Sequence, residues 1–414
     1  MLGITSTGPA NRESDFAEFS LATVGGLAFA LIAIFFCVVP FSGNATSTRD
    51  YIVFWATGQQ LVHHANPYDP VAMDRLERAA GLATGYGILY MRNPPWALLL
   101  ALPLGLVSVQ IGALMWSLTL MACLVLSAWL IRSMHGNPTN RIYWIAFAFA
   151  PSLMCLMMGQ TALFALLGLV LFLRFHCTSP LLAGCALWLC FIKPHLFLPI
   201  AIVLLAWVIV TKSYRVLAGA AISSAASLTL TWLLDPEAWS EYWAMMRAPG
   251  IEKEFIPCLS VAMRLWLHSD ALWLQYLPAV LACVWAIVYY WRRRSQWNWL
   301  RDGNILILVS LIAAPYCWPY DQAIAVPAIL HRAYTTRSRP MLAAIALVNI
   351  PIMAALMIGI KITTPFYLFI APAWLAWYLL AGSTANATST IADSTTAAKN
   401  ASRAPEPFLG AKAE

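Results

Sequence analysis

The segment Ser47-Thr48-Arg49-Asp50-Tyr51-Ile52-Val53-Phe54-Trp55 joins the first long apolar run of the chain to its first polar loop. The preceding run, Leu21–Val39, is about 20 residues long, which is enough to cross a bilayer and long for a signal-peptide core. We therefore interpret it as an uncleaved membrane anchor. Arg49 and Asp50 follow where this helix leaves the lipid. They form either an interfacial ion pair or part of a site that acts on a lipid-borne substrate.

The composition indicates a polytopic membrane protein. Of the 414 residues, 61% are hydrophobic and 10% are charged, whereas a soluble chain carries about 25% charged residues. The 19 Trp and 15 Tyr residues suit two interfacial belts at the surfaces of the bilayer. The net charge of +7 is typical of a membrane protein with Lys and Arg in its cytoplasmic loops, so it does not indicate nucleic-acid binding.

The sequence predicts no cofactor. The nine Cys residues form neither a CxxC nor a Cys/His spacing, so we expect no disulfide framework and no zinc site. The acidic residues near the first loop are isolated and form no DxD motif, which argues against a tightly bound divalent metal. Walker A, GxSxG and HExxH motifs are also absent from the sequence.

The order of apolar and polar segments predicts an all-α bundle of about twelve transmembrane helices. Residues 1–18 are predicted to form a cytoplasmic tail, residues 19–381 a single multi-pass membrane domain, and residues 382–414 a disordered tail. Two larger loops, about residues 41–93 and 235–257, interrupt the apolar runs. Because most Lys and Arg clusters are assigned to the cytoplasm, both loops are predicted to face outward.

The first outer loop is predicted to contain two short helices that lie along the membrane interface. Tyr51–His64 has apolar residues at helical spacing, and Val71–Ala80 is amphipathic with Glu77 on its solvent side. Beyond this loop, Pro94–Val107 and Cys258–Leu267 are apolar but short, so we expect both to dip into the membrane or lie flat. If both crossed, the number of spans would rise to about fourteen.

Charges within apolar stretches are costly, so each one is a candidate for function. Lys193 interrupts the apolar stretch Leu181–Val210. It either extends to the lipid headgroups or acts as a cation for the phosphate of an anionic lipid. Arg92, just before a Pro-Pro pair, and Arg264, within a short apolar run, are further candidates for binding a donor phosphate. Either Arg could instead bind the bulk anionic headgroups.

Two other polar residues adjoin apolar runs. His195 is a candidate hydrogen-bond donor to a sugar hydroxyl, and a packed interfacial His is the alternative. Asp321 follows Trp318-Pro319-Tyr320 and precedes an apolar run. It is either an N-cap stabilised by free backbone N–H groups or a hydrogen-bond acceptor for a polyol substrate, and the two roles are compatible.

Short motifs occur in a definite order along the chain. They are Asp50, Phe54-Trp55, Asn66-Pro67-Tyr68-Asp69-Pro70, Tyr90, Pro94-Pro95, Gly159-Gln160, Lys193-Pro194-His195 and Ala314-Pro315-Tyr316-Cys317-Trp318-Pro319-Tyr320-Asp321-Gln322. In order and spacing this pattern resembles glycosyltransferase family 87, integral-membrane enzymes of the GT-C superfamily. The resemblance covers roughly residues 20–335.

The resemblance implies a GT-C-type bundle that uses a lipid-monophosphate sugar at the outer face of the cytoplasmic membrane, as polyprenyl-phosphate-mannose-dependent mannosyltransferases do. A hexose, with mannose expected, would move to a hydroxyl of a lipid-linked or envelope-glycan acceptor with inversion. Asp50 matches the acidic residue in the first outer loop of the family, which the resemblance implies is the base that deprotonates the acceptor hydroxyl. The substrate-binding residues implied or inferred are Tyr68, Tyr90, Gln160, His195, Tyr320 and Asp321. Some members of the family carry a pair of His residues near the position where this chain has Tyr320-Asp321. Because this chain departs from that pattern, the resemblance does not identify its acceptor.

The implied mechanism agrees with the chemistry of the candidate residues. A sugar phosphate has a good leaving group, so the enzyme needs a base for the acceptor hydroxyl and cations for the phosphate. Two alternatives belong to other classes. A transporter or flippase predicts repeated halves and interrupted helices near the midplane, which the sequence does not display. A glycan polymerase or ligase that uses diphosphate lipids remains open.

Overall fold

The computed structural model describes residues 50–83, 87–247, 254–336 and 338–383. The predicted first span, Leu21–Val39, lies outside the described residues, as do Arg49 and the predicted N-terminal tail. Of the predicted C-terminal tail, 382–414, only Gly382 and Ser383 are described, and they are helical rather than disordered. Within the described residues, helices are present and strands are absent. The predicted all-α class is therefore confirmed for this part of the chain.

The α-helices are α1 (Tyr51–Val62), α2 (Pro70–Ala79), α3 (Val109–Met134), α4 (Ile145–Ala148), α5 (Ala150–Met158), α6 (Ala162–Phe175), α7 (Pro180–Ala186), α8 (Trp188–Phe191), α9 (Leu198–Thr211), α10 (Tyr214–Leu234), α11 (Ala238–Met246), α12 (Leu259–Leu267), α13 (Leu272–Arg293), α14 (Trp299–Ala313), α15 (Val326–Thr335), α16 (Arg339–Met357) and α17 (Pro365–Ser383). Short 3₁₀ helices join several of them: Pro95–Leu100, Leu102–Leu106, Ile142–Trp144, Pro194–Leu196, Arg294–Gln296 and Pro319–Ala325. Another 3₁₀ turn, Pro365–Phe369, opens α17.

Five of the described helices, α3, α10, α13, α16 and α17, are long and apolar enough to cross a membrane. Shorter apolar helices are α6, the pair α7 and α8, and α9. This content agrees with a polytopic membrane protein. The predicted count of about twelve spans is not confirmed, because several apolar runs form short or broken helices.

The broken helices follow from proline. The apolar run 143–158 is divided between α4 and α5 at Phe149, whose backbone is extended. Pro151 explains this break, since its ring would clash with the carbonyl four residues earlier in a continuous helix. In the same way, Pro194 begins a 3₁₀ helix after α8 ends, and Pro319 begins another after α14. Polar residues are thereby inserted between apolar helices.

The two short apolar runs do not form spanning helices. Residues 95–106 form two 3₁₀ helices that pack on α1, where Trp55 Nε1 donates to the Val107 carbonyl at 3.1 Å and Gln59 Nε2 to the Gly105 carbonyl at 2.9 Å. The nine-residue α12 is about 13 Å long, well short of the ~30 Å hydrocarbon core. Both observations agree with the prediction that these runs dip or lie flat.

The centre of the bundle is α6, which is buried along nearly its whole length. It packs against α3, α7 and the 3₁₀ helix Pro319–Ala325. Close approach is also visible between α7 and α10, where a Cβ on Gly184 or Gly219 would overlap a carbonyl of the facing helix. Small residues at such contacts are typical of helices packed in membranes.

In the first loop, α2 differs from its prediction. Its N-terminus is capped by Asp69, which accepts a hydrogen bond from the Val71 amide at 2.9 Å. Glu77 was predicted on the solvent side, and this prediction is wrong, because the residue is fully buried. Burial raises the pKa of Glu77 from 4.5 to about 8, against the opposing effect of the Leu89 backbone N–H.

We expect Glu77→Gln to flatten the pH dependence of thermal stability. Between pH 4.5 and about 8 the folded protein retains a proton on Glu77 that the unfolded chain has lost, so stability falls as the pH rises through this window. The neutral amide removes that fall. Melting temperatures in detergent between pH 5 and 9 should decline by several degrees more for the wild type than for Glu77→Gln. Exposed Glu237→Gln is the control and should follow the wild type. Parallel curves for wild type and Glu77→Gln would contradict the assignment.

Candidate active site

A cavity of about 1400 Å³ opens between the first loop, the end of α5, α11 and the segments 192–198, 315–321 and 356–363. Most of the side chains predicted for the site contribute to its walls. They are Asp50, Tyr90, Arg92, Gln160, Lys193, His195, Tyr320 and Asp321. The fold therefore brings together polar residues from widely separated parts of the sequence.

Asp50 lies at the beginning of α1, and Gly159 explains why α5 ends beside it. Gly159 ends α5 in the left-handed region with φ 73°. A Cβ at this position would lie 2.7 Å from Cβ of Tyr51, so only glycine allows the two helix ends to approach so closely. The next residue, Gln160, then donates from Nε2 to Oδ2 of Asp50 at 2.8 Å.

Lys193 and Asp321 form a buried ion pair. Lys193 Nζ donates to Asp321 Oδ1 at 2.6 Å, and the exposed fractions of the two side chains are 9% and 1%. The second oxygen, Asp321 Oδ2, accepts from the Trp318 backbone N–H at 3.0 Å. Asp321 thus caps the 3₁₀ helix Pro319–Ala325 from within its first turn, and it is also a charge partner that the sequence had not indicated.

Gln160 connects this ion pair to Asp50. Its Oε1 accepts from Lys193 Nζ at 3.4 Å while its Nε2 donates to Asp50. The result is a continuous polar chain from Asp50 through Gln160 and Lys193 to Asp321, which we call the site network. The surroundings of the two carboxylates differ, since both oxygens of the buried Asp321 are engaged by donors and Asp50 is partly exposed at the cavity wall.

Two further cations line the cavity. Arg92, predicted to bind a donor phosphate, forms an ion pair with Glu254, which also lines the cavity. Lys361 lies on the segment between α16 and α17 and is exposed. The sequence analysis gave Lys361 no role, although a single Lys between two long apolar runs was a signal of the same kind as Lys193.

His195 stacks on Tyr316, with ring centroids 3.7 Å apart and planes inclined by 25°. Its Nε2 is buried and makes no hydrogen bond within the described part of the chain. Burial, together with the nearby charge of Lys193, lowers the pKa of His195 well below 6.5. The imidazole is therefore neutral at pH 7, with one ring nitrogen able to donate a hydrogen bond and the other able to accept one.

Two of the predicted site residues do not line this cavity. Arg264 is buried in α12, where its Nη1 donates to the Ser269 carbonyl at 3.1 Å. Tyr68 lies behind the cavity wall, where its hydroxyl donates to the Asn93 carbonyl at 2.9 Å and its ring meets Tyr242 edge to face. Tyr68 thus supports the wall, and Arg264 belongs to a different region.

Aromatic side chains form a large part of the cavity wall, and the sequence analysis assigned them no role. They include Trp96, Trp239, Tyr242, Trp243, Tyr276, Tyr316 and Trp318. A usable signal existed in the second loop, where Trp239, Tyr242 and Trp243 recur at helical spacing among the acidic residues of the segment 235–241.

The apolar helices and the cavity fit a multi-pass membrane protein with an open cavity that polar and aromatic residues line. Its class is set by the family model of glycosyltransferase family 87, which matches residues 90–315, more than half of the chain. The chain belongs to glycosyltransferase family 87, and it is a membrane glycosyltransferase. The predicted family and enzyme class are thereby confirmed, and the GT-C placement is consistent with them. No curated protein and no solved structure matches the chain.

The matched segment includes part of the site. Tyr90, Arg92, Gln160, Lys193 and His195 lie within residues 90–315. The two acidic ends of the site network lie outside it, one on each side. The match therefore supports the reaction class and leaves the individual roles of these residues to be tested by mutation.

We expect Lys193→Met to destabilise the fold strongly, because it leaves the Asp321 carboxylate buried without its cation. Removing one partner of a buried ion pair costs about 3–5 kcal/mol, whereas replacing both by neutral residues is often nearly neutral. The double variant Lys193→Met/Asp321→Asn should therefore regain most of the lost melting temperature. A double variant no more stable than Lys193→Met would show that the pair does not carry this energy.

Proposed function

We propose that the protein transfers a hexose, with mannose expected, from a polyprenyl-phosphate donor to a hydroxyl of a lipid-linked or envelope-glycan acceptor. The reaction inverts the anomeric centre and takes place at the outer face of the cytoplasmic membrane. The observation that carries this proposal is the site network. It combines a partly exposed carboxylate with a buried cation in the wall of a cavity bounded by apolar helices.

Asp50 is the better of the two carboxylates for the role of base. Both oxygens of the buried Asp321 are already occupied, one by the Lys193 ammonium and one by the Trp318 backbone N–H, so neither is open to a substrate hydroxyl. Asp50 accepts a hydrogen bond from the amide of Gln160, which orients its carboxylate. Unlike Asp321, it is partly exposed at the cavity wall, where a substrate hydroxyl can reach it.

The phosphate of the donor is assigned to Lys193 and Arg92, with Lys361 as a third and more exposed cation. A Lys ammonium has three N–H donors. Those of Lys193 reach Asp321 Oδ1 and Gln160 Oε1, which leaves one for a phosphate oxygen. Arg264 does not line the cavity, so we leave it out of the phosphate site.

The reaction is a single displacement. The acceptor oxygen attacks the anomeric carbon while the bond from that carbon to the phosphate oxygen breaks, and the hydroxyl proton passes to Asp50. Polyprenyl phosphate departs with the bonding electron pair, and the cations stabilise the charge that develops on it. Apolar side chains in the wall, such as Met157, Met158 and Leu198, suit the first isoprene units of the donor.

We expect Asp50→Asn to lower the turnover number by roughly two to four orders of magnitude, the usual range for a positioned base. Donor affinity and melting temperature should stay close to wild type, because the amide keeps the size of the side chain. Transfer from labelled polyprenyl-phosphate mannose to a membrane glycolipid extract would be measured in nanodiscs. Asp74→Asn, a change outside the cavity wall, is the control and should be fully active. A fully active Asp50→Asn enzyme would contradict the assignment.

We expect Lys193→Met/Asp321→Asn to bind donor at least ten-fold more weakly than Asp321→Asn alone, because only the first variant lacks the cation. Asp321→Asn leaves the Lys193 ammonium without its carboxylate and is itself expected to be less stable. Donor affinity is therefore compared at a temperature below the melting temperature of both variants, so that loss of fold is not counted as loss of binding. Equal donor affinities would mean that Lys193 only neutralises Asp321.

Wild-type protein tested in parallel with a polyprenyl-diphosphate sugar distinguishes the transferase from a polymerase or ligase, and preference for the diphosphate would overturn the proposed donor.

A further inference from the structure

We propose that the aromatic side of α11 is a saccharide-binding subsite for the acceptor, formed by Trp239, Tyr242 and Trp243 together with Trp96. The acceptor would accordingly present a sugar ring next to the reacting hydroxyl, as an oligosaccharide or glycolipid does and a simple alcohol does not. This inference rests on the proposed function and specifies its acceptor.

The three α11 residues lie on one side of the helix. Their spacing of i, i+3 and i+4 brings the side chains together, and all three line the cavity. Trp239 and Trp243 remain 41% and 52% exposed. Large aromatic surface that is left open within a concave site is typical of a ligand-binding wall.

The rings are fixed at angles that leave faces open. Trp239 is tilted by 55° against Trp96 with centroids 5.5 Å apart, and it meets Tyr242 edge to face at 6.2 Å. Tyr242 in turn meets Trp243 edge to face at 5.5 Å. Because these rings meet at steep angles and do not stack in parallel, their faces are not fully covered by one another.

These four aromatic residues, Trp96, Trp239, Tyr242 and Trp243, are called the platform. Its members Trp96 and Tyr242 are fixed by contacts on the side away from the cavity. Trp96 Nε1 donates to the Phe191 carbonyl at 2.8 Å, and the Trp96 carbonyl accepts from Ser227 Oγ at 2.6 Å. Tyr242 is supported by Tyr68, whose hydroxyl is bonded to the loop at Asn93. A platform fixed in this way loses little side-chain entropy when a ligand binds.

The chemistry of the wall suits a sugar ring better than an isoprenoid chain. One face of a pyranose carries C–H groups that are attracted to the negative face of an aromatic ring, and its hydroxyls need hydrogen-bond partners. Tyr276, from α13, and Glu254 line the same cavity and can supply them. An isoprenoid chain carries no hydrogen-bonding groups, so it would leave these polar side chains without partners.

The platform is distinct from the groups assigned to the donor. The donor sugar and its phosphate are assigned to Asp50, Lys193 and Arg92, none of which lies on α11. This helix contributes to the wall the three aromatic residues and Met246, and no charged side chain. It therefore adds stacking surface beyond what a single transferred hexose requires.

Saturation-transfer NMR tests the subsite without the donor. Wild-type protein in nanodiscs is mixed with a mannotriose and, separately, a glucotriose, and compared with Trp239→Leu/Trp243→Leu. We expect signals on ring C–H protons for at least one probe in the wild type and at least a ten-fold loss in the double variant. Trp232→Leu/Trp266→Leu removes two exposed Trp residues outside the cavity wall and should behave as wild type. No wild-type signal, or an equal signal in the double variant, would overturn the proposal.

Steady-state kinetics supply a second readout that a merely structural role would not give. Trp239→Leu/Trp243→Leu should raise the acceptor KM at least ten-fold with the donor KM unchanged, and Trp239→Phe/Trp243→Phe should retain part of the acceptor affinity. A rise in the donor KM instead would assign the platform to the lipid donor and overturn the acceptor subsite. The NMR experiment contains no donor, so it tests the subsite alone. If wild-type protein failed to transfer a sugar from the polyprenyl-phosphate donor, the proposed function would be overturned while the NMR result still stood.

Discussion

The buried ion pair between Lys193 and Asp321 is the interaction on which the rest of the site depends. Each charge alone would be unstable among apolar helices. As a pair, with Lys193 Nζ 2.6 Å from Asp321 Oδ1, the two charges compensate each other. Their contact joins the 3₁₀ helix Pro319–Ala325 to the junction between α8 and α9. The pair also presents a cation to Gln160, and through it the carboxylate of Asp50 is oriented at the cavity wall.

Interrupted helices make this arrangement possible. In a continuous apolar helix a Lys or Asp side chain would have to reach the headgroups or remain unpaired. Pro194 follows the end of α8 and Pro315 follows the end of α14, on either side of the ion pair, and Gly159 ends α5 against the beginning of α1. The same interruptions explain why the described residues contain fewer helices of spanning length than their apolar runs suggested. The breaks that shorten the spans also supply the polar wall of the cavity.

The sequence identified the residues of the site network, but it did not predict which of them contact one another. Asp50, Lys193 and Asp321 were identified because a charged residue beside or within an apolar run is a local signal, and Gln160 was identified through the family resemblance. The ion pair was not predicted, because its partners are 128 positions apart and each had a plausible separate role. Arg264 carries the same local signal, yet its guanidinium is turned toward the Ser269 carbonyl, which only the tertiary packing determines.

The most direct test of the account is a density map of the protein bound to a polyprenyl phosphonate analogue of the donor, whose sugar cannot be transferred. The account predicts the phosphonate oxygens at about 3 Å from Lys193 Nζ or the Arg92 guanidinium, a hydrogen-bonding distance, with the sugar beside Asp50. A headgroup bound elsewhere in the cavity, with no contact to the site network, would contradict it.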